Sequence, residues 1–437
     1  MGAINSTVAT PRGVQLCHAR RIVRIRLLPA LAIWGLAFFA ANACAAQVSL
    51  PAGTRIYVRL ETAVSTMSSH LHAPVEARVV REVAAAGGVA VPLGALVEGE
   101  IALLFPSSSP TQRARMILKF NRLVIAGEAP LAITAHVSEV ENAREKVLPD
   151  GTIQGVLASE LPISMIEKAA TKLGKSGATG VDVEKETAKY LGKSNTAIDY
   201  PDGTDLELTL DQPLQLSRIF PSAISNTLPR EESAVIESLL ASAPQRVEGK
   251  DGKPGDPINL VIVGSRQEIQ QTFEKAGWLE PERASQQSIW QATRAILGDV
   301  GYDKAPVSDL YLYGRKEDLA FAKMLNTVAK RHHLRLWLAD ARTAGGREIW
   351  LGAATHDNGY DVRPGVISHA IDPNLDDERA KVGADLATTR LVAGEQLVTR
   401  PNPLSTGLTA TGASWKTDGR VLAIELSPSA VPSAPPH

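Results

Sequence analysis

One phrase occurs twice in this chain, and it constrains the fold more than any other feature. Residues 49–61 read SLPAGTRIYVRLE and residues 199–211 read DYPDGTDLELTLD, so Pro51/Pro201, Gly53/Gly203, Thr54/Thr204, Leu60/Leu210 and Glu61/Asp211 align at one offset of 150. In each copy a Pro-x-Gly turn feeds an alternating strand, with Ile56, Val58 and Leu60 in one and Leu206, Leu208 and Leu210 in the other. Proline presets φ ahead of the turn, and glycine adopts positive φ without a Cβ clash. A third turn, Pro92-Leu-Gly94, precedes a strand at 95–101, and further strands are expected at 75–83, 115–125 and 131–140. Short strands of this kind predict a mainly-β small barrel or sandwich over 47–216.

The segment ahead of that domain reads as an address. Arg20 to Arg26 form a positive flank, residues 27–41 an apolar run, and Ala43-Cys44-Ala45-Ala46 a small-residue cleavage site. Residues 1–46 are therefore expected to be a signal peptide, or an inner-membrane anchor through 27–46 if uncleaved. A lipoprotein with Cys44 as the lipidated residue ranks third. The predicted location is periplasmic or exported, with no membrane span after residue 46. Both cysteines, Cys17 and Cys44, lie in this stretch, so cleavage leaves a thiol-free protein suited to an oxidising compartment. The stretch also holds Arg12, Arg20, Arg21, Arg24 and Arg26 and no carboxylate. Without it, 41 basic residues face 47 acidic ones, a net charge of −6. A body of that sign is a poor binder of nucleic acid.

After the β-domain, an amphipathic helix is expected at 231–243 in a connector spanning 217–250, followed by a charged Gly/Pro-rich linker at 246–257. Residues 251–428 predict an α+β domain with a mixed sheet and packed helices. Its strands are expected near 258–264, 309–313, 333–338, 348–355, 366–371 and 420–426. Its helices are expected at 265–276, 288–297 and 376–386. Ser265 and Glu268 form a capping box, Asp372 is read as the N-cap of the last helix with Pro373 as its first residue, and 429–437 is a disordered tail.

Two resemblances follow from these phrases. LPAGTRIYVRLETAVST, VAVPLGALVEGEI, RMILKFNRLVIAGE and YPDGTDLELTLDQPL, in that order, resemble the C-terminal β-barrel of the TrbI family of conjugation and type IV secretion proteins. That resemblance implies a scaffold or interaction domain without catalysis, with a helical excursion at about 160–195. GDPINLVIVGS, AGW, SDLYLYGRKEDLAF, KRHHLRLW, IWLGAATHDNG, HAIDPNLDDER and TDGRVLAIEL resemble the C-terminal domain of the LssY family, an envelope-associated group. The resemblance transfers a domain identity without catalytic machinery. It marks Arg315, His332, His333, Asp357, His369, Asp372 and Asp376 as the polar residues to test.

Pleat arithmetic places His333, Arg335 and Trp337 on one face of their strand, and Trp350, Gly352, Ala354 and His356 on one face of the next. If the two strands pair as a hairpin, His333 and Arg335 approach Ala354 and His356 over a shallow pocket floored by small residues. Three readings compete there. His333, His356 and Asp357 or Asp372 suit a divalent metal, although the sequence requires no cofactor. Arg315, Arg331, His333 and Arg335 suit an anion or phosphate. In the third reading the acids near 372–378 serve the helix dipole and the histidines are structural, His369 facing apolar neighbours in phase with Ile367 and Ile371. The leading functional expectation is an envelope protein binding an anionic small molecule, a lipid head group or envelope proteins. The alternative is a metal-assisted hydrolase of a phosphate- or lipid-linked substrate.

Overall fold

A computed structural model describes residues 48–109, 111–161, 196–223, 227–282, 307–327, 329–363, 366–410 and 412–428, leaving aside the side chains of 360–369. The expected leader, the 288–297 helix, the C-terminal tail and nearly all of the 160–195 excursion lie outside the described residues.

The N-terminal strands are β1 (Arg55–Leu60), β2 (Pro74–Val79), β3 (Leu96–Phe105), β4 (Arg115–Val124), β5 (Leu131–Val140) and β6 (Asp205–Leu210). Their order is β4-β3-β2-β1-β6-β5, and β5 pairs back to β4, closing a six-stranded antiparallel barrel. Alternation does the sorting: Ile56, Val58, Leu60, Leu118, Phe120, Leu206 and Leu208 fill the interior. Each such side chain contributes about 1.5–3 kcal/mol on burial. The two copies of the repeated phrase lie side by side. Gly53 N–H donates to Leu210 O and Gly203 N–H to Leu60 O, both at 2.8 Å, with φ of 82° and 89° at the two glycines. Each turn therefore clasps the far end of the other strand. The run expected as a strand over 75–83 stops at Val79, and Val83–Ala85 instead starts a small hairpin with Gly88–Val91.

The C-terminal strands are β7 (Leu260–Val263), β8 (Leu319–Met324), β9 (Lys330–Arg342), β10 (Glu348–Arg363), β11 (Val366–Ile371), β12 (Val392–Thr399) and β13 (Arg420–Leu426). Their order is β8-β9-β10-β7-β13-β12, with β11 also on β10 and only the β7–β13 pair parallel. Helix α1 (Arg230–Ser242) packs Ile236 and Leu240 on one face, against Val261, Trp337 and Leu351. Helices α2 (Arg266–Lys275) and α3 (Leu375–Thr388) cover the other, placing Ile269, Phe273, Val382 and Leu386 on Leu260, Leu336 and Trp350. The Ser265–Glu268 capping box is present.

Two local expectations fail for identifiable reasons. The 246–257 stretch is no free linker: Arg246–Glu248 and Pro254–Pro257 pair as a hairpin in a small sheet with Tyr311–Leu312 and Arg315–Lys316. Asp372 does not cap α3. Its N–H donates to His356 O at 2.7 Å, extending the strand pairing, so the helix starts later with Asn374 as N-cap. No helix among the described residues is long and apolar enough to cross a membrane.

Candidate functional site

The pairing of β9 and β10 decides which polar residues meet. His332 lies opposite His356, His333 opposite Thr355 and Arg331 opposite Asp357. This differs by one residue from the meeting of His333 with His356 expected from the pleat, and a one-residue change exchanges faces. His332 and His356 share the face that also carries Leu334, Leu336, Ala354 and Gly352. Arg331, His333, Arg335 and Asp357 share the opposite face. The metal set of His333, His356 and Asp357 is therefore split across the sheet. Gly352 leaves no pocket either, since a Cβ there would lie 2.9 Å from Leu336 Cδ2 and 3.0 Å from Leu260 Cβ.

On the His332 face the barrel docks. The Nδ1–H of His332 donates to Glu378 Oε2 at 2.6 Å, and Glu141, just beyond β5, lies 3.3 Å from Nε2. Burial by itself lowers the imidazole pKa, but the carboxylates of Glu378 and Glu141 overcome it and hold His332 up to about 9. His356 stacks on His332 with ring centroids 4.4 Å apart and lies 2.6 Å from Asn142 Oδ1. Burial and the neighbouring His332 charge push His356 down to about 3, so it stays neutral and donates its Nε2–H to the Asn142 amide oxygen.

A denser cluster adjoins this pair. Asp205 of β6 accepts from Arg59 Nε (2.6 Å), Lys381 Nζ (2.8 Å) and Lys323 Nζ (2.9 Å). Asp385 of α3 accepts from Lys381 (2.7 Å), Trp278 Nε1 (2.9 Å), Arg59 (3.1 Å) and Lys323 (3.1 Å). Arg59, Glu141 and Asp205 come from the barrel side, whereas Lys323, His332, Glu378, Lys381 and Asp385 come from the sheet and α3. Four cations thus meet four carboxylates across the interface. Burial would raise the Asp205 carboxyl, but Lys323, Lys381 and Arg59 hold it well below the usual range. Lys381 is held well above its usual range against burial by Asp205 and Asp385. Further contacts run along the same seam: Arg144 N–H donates to Asn326 Oδ1 at 3.1 Å, and Lys330 Nζ to Ala143 O at 2.8 Å.

The sequence reading missed Arg59, Glu141, Asp205, Lys323, Lys381 and Asp385. One signal was present, because Glu378, Lys381 and Asp385 follow i, i+3, i+7 spacing and so share one face of α3. The other residues are brought together only by the docking of the two domains.

The remaining candidates are dispersed. His333 Nε2 lies 2.6 Å from Asp357 Oδ2 and 3.1 Å from Arg331 Nε. A protonated Nε2 donates to the carboxylate and cannot also accept from arginine, so the two contacts compete. Arg335 donates to Ser308 O at 2.9 Å. Arg315 is exposed, pairing with Asp318 at 3.2 Å and donating to Leu338 O at 2.8 Å. Asp372 Oδ1 accepts from Asn374 N at 2.8 Å. Asp376 accepts from Arg379, Thr417 Oγ1 and Asp418 N. His369 pairs with Tyr360 in the β10–β11 ladder, and its side chain lies outside what is described. Among the described residues no three His, Cys, Asp or Glu side chains converge in an arrangement able to hold a metal ion.

Two open grooves flank α3 instead. One, of about 780 Å³, is lined by Arg59, Arg78, Gly94, Gly203, Thr388 and Arg390 among others. The second, of about 500 Å³, runs over Ala380, Gly383, Ala384 and Ala387 beside Arg81 and Leu397. Both take walls from the barrel side and from the α+β side.

Comparisons with known proteins bear on the two halves unequally. Residues 240–421 match the family model described as the LssY C-terminus. No curated protein matches the chain significantly. Among solved structures, ComB10 of the Com type IV secretion system of Helicobacter pylori is similar, at 11% identity and a TM-score of 0.22, over 38% of this chain and 89% of that one. The matched range, residues 240–421, takes in α2, α3 and most strands of the C-terminal sheet, and is similar to the LssY C-terminus; the six-stranded barrel lies outside it.

Proposed function

We propose that this chain is an exported envelope protein that acts by binding, with the groove along α3 receiving an anionic ligand such as a lipid head group, or an envelope protein partner. The buried ion network carries this reading. It fastens the barrel to the LssY-type region, so the polar residues around His332 serve as a docking seam and the grooves beside it have walls fixed by both parts. Sites between domains are preferred places for ligands. Arg390 lines the larger groove, is exposed and has no ion pair among the described residues, which leaves its charge free for an anion. Flotation with vesicles containing phosphatidylglycerol, against neutral vesicles, tests the ligand class. Binding only to the anionic vesicles, reduced severalfold by Arg390→Glu, is the expected result. Equal binding to both vesicle types, or none, removes the anionic ligand from the proposal.

The hydrolase alternative keeps one supporting observation, the His333–Asp357 contact at 2.6 Å. Both side chains are buried, however, and neither lines the two large grooves. Phosphoesterase turnover that is abolished by His333→Ala, in a variant that still folds, would favour it over binding.

A further inference from the structure

Arg400, just beyond β12, is 4% exposed. Its Nη1 reaches three carbonyls at the end of α1, namely Ala243 O (3.2 Å), Leu240 O (3.3 Å) and Pro244 O (3.4 Å). A cation at a helix C-terminus is favourable there. The other edge of the guanidinium is different: Nε and Nη2 are buried and have no hydrogen-bond partner among the described residues. That edge is the one with which arginine grips two oxygens of a carboxylate or phosphate.

Other deeply buried arginines have acids nearby. Arg379 meets Asp376 and Asp418, and Arg331 lies 3.9 Å from Asp357. Arg335 acts electrostatically on Asp256. Arg400 has no ion pair among the described residues, and burial lowers it to about 10, opposed only by the Tyr313 phenol. The α1 carbonyls satisfy Nη1, but no acid balances the charge and Nε and Nη2 are left unsatisfied, and buried donors without acceptors are costly. Arg400 also lines a small cavity of about 10 Å³ together with Gln245, Thr417, Gly419 and Arg420. That volume is enough for roughly one water-sized atom. Arg420 sits half-exposed at this cavity, bound to Asp418.

We infer that Arg400 marks a binding site for a small oxyanion, a phosphate or carboxylate group that inserts an oxygen beside the guanidinium at the end of α1. This goes beyond the groove reading, because neither groove is lined by Arg400, and either can fail without the other.

Thermal unfolding of the full chain is followed against inorganic phosphate, acetate and sodium chloride at matched ionic strength, for the wild type, Arg400→Lys and Arg400→Gln. A saturable rise in melting temperature with phosphate or acetate is expected for the wild type, and whichever acts identifies the oxyanion. Arg400→Lys retains a cation for the α1 carbonyls but loses the adjacent Nε–H and Nη2–H donors that would both reach the inserted oxygen, and its apparent Kd should rise at least tenfold. An equal shift with chloride, or a shift preserved in both variants, overturns the inference. Should the variants not fold, selenate soaked into wild-type crystals decides: an anomalous peak within hydrogen-bond distance of Nε or Nη2 supports the site, and a water alone there refutes it.

Discussion

His332 and His333 are adjacent in the chain, yet the pleat of β9 sends them to opposite faces of the sheet, and the two faces differ in kind. The His332 face ends in a seam shared by two domains, where Glu141, Glu378, Asp205, Lys381 and Asp385 interlock. The His333 face stays within the C-terminal domain, where Asp357 and Arg331 lie on the same pair of strands. A cluster that looks continuous in sequence is thus two clusters in space. One joins residues of the barrel side to residues of the sheet and α3, and the other is local.

The largest expected effect separates them at once. Asp385→Ala leaves Lys323, Lys381 and Arg59 competing for Asp205, and removing one partner from a buried ionic network costs about 3–5 kcal/mol. Urea denaturation should show this loss, whereas Asp357→Ala should cost less because it unbalances a smaller local group. If the two losses are equal, the distinction between seam and local cluster fails. Next comes a packing test on the His332 face. Gly352→Ala drives a Cβ against Leu336 and Leu260, and overpacking of this kind costs about 1–3 kcal/mol. A neutral result would restore the shallow pocket anticipated there.

The third test is pH. His332 is raised in the folded state, so its stabilising contribution is complete below the ordinary histidine value near 6.5 and is lost as pH rises through about 9. Burial would raise the Glu141 carboxyl, but Lys381 and His332 hold it at about 2, so its contribution is present above about 4.5 and fades as pH falls toward 2. Urea midpoints should therefore decline between pH 7 and 9.5 in the wild type and decline less in His332→Gln. The same alkaline decline in both proteins would show that the seam does not depend on this histidine. The smallest effect is expected at Arg315. Its exposed pair with Asp318 is worth about 0–1 kcal/mol, so Arg315→Ala should shift the melting temperature little.

Much of the fold was legible because it is written in local periodicity. The strands at 131–140, 366–371 and 420–426 fall on the expected residues, and the Ser265–Glu268 cap forms as its spacing requires. The last helix was legible too, but its start was not. Asp372 has the chemistry of an N-cap, and only the pairing of its N–H with His356 keeps it in the strand. The candidate site was less legible. The alternation within β9 and within β10 was correct, but the register between them is a relation between strands that neither one encodes alone.

The sequence by itself determined which residues alternate, which turns need glycine, and that the second half carries an LssY-type pattern. Tertiary structure decided that the two repeated turns clasp each other, that His332 meets His356, and that Arg59, Asp205 and Asp385 share one buried cluster. The physical reason is the range of the forces involved. Strand and helix periodicity depends on neighbours a few residues away, whereas a buried charge is tolerable only beside a partner, and Arg59 finds Asp385 at a separation of 326 residues.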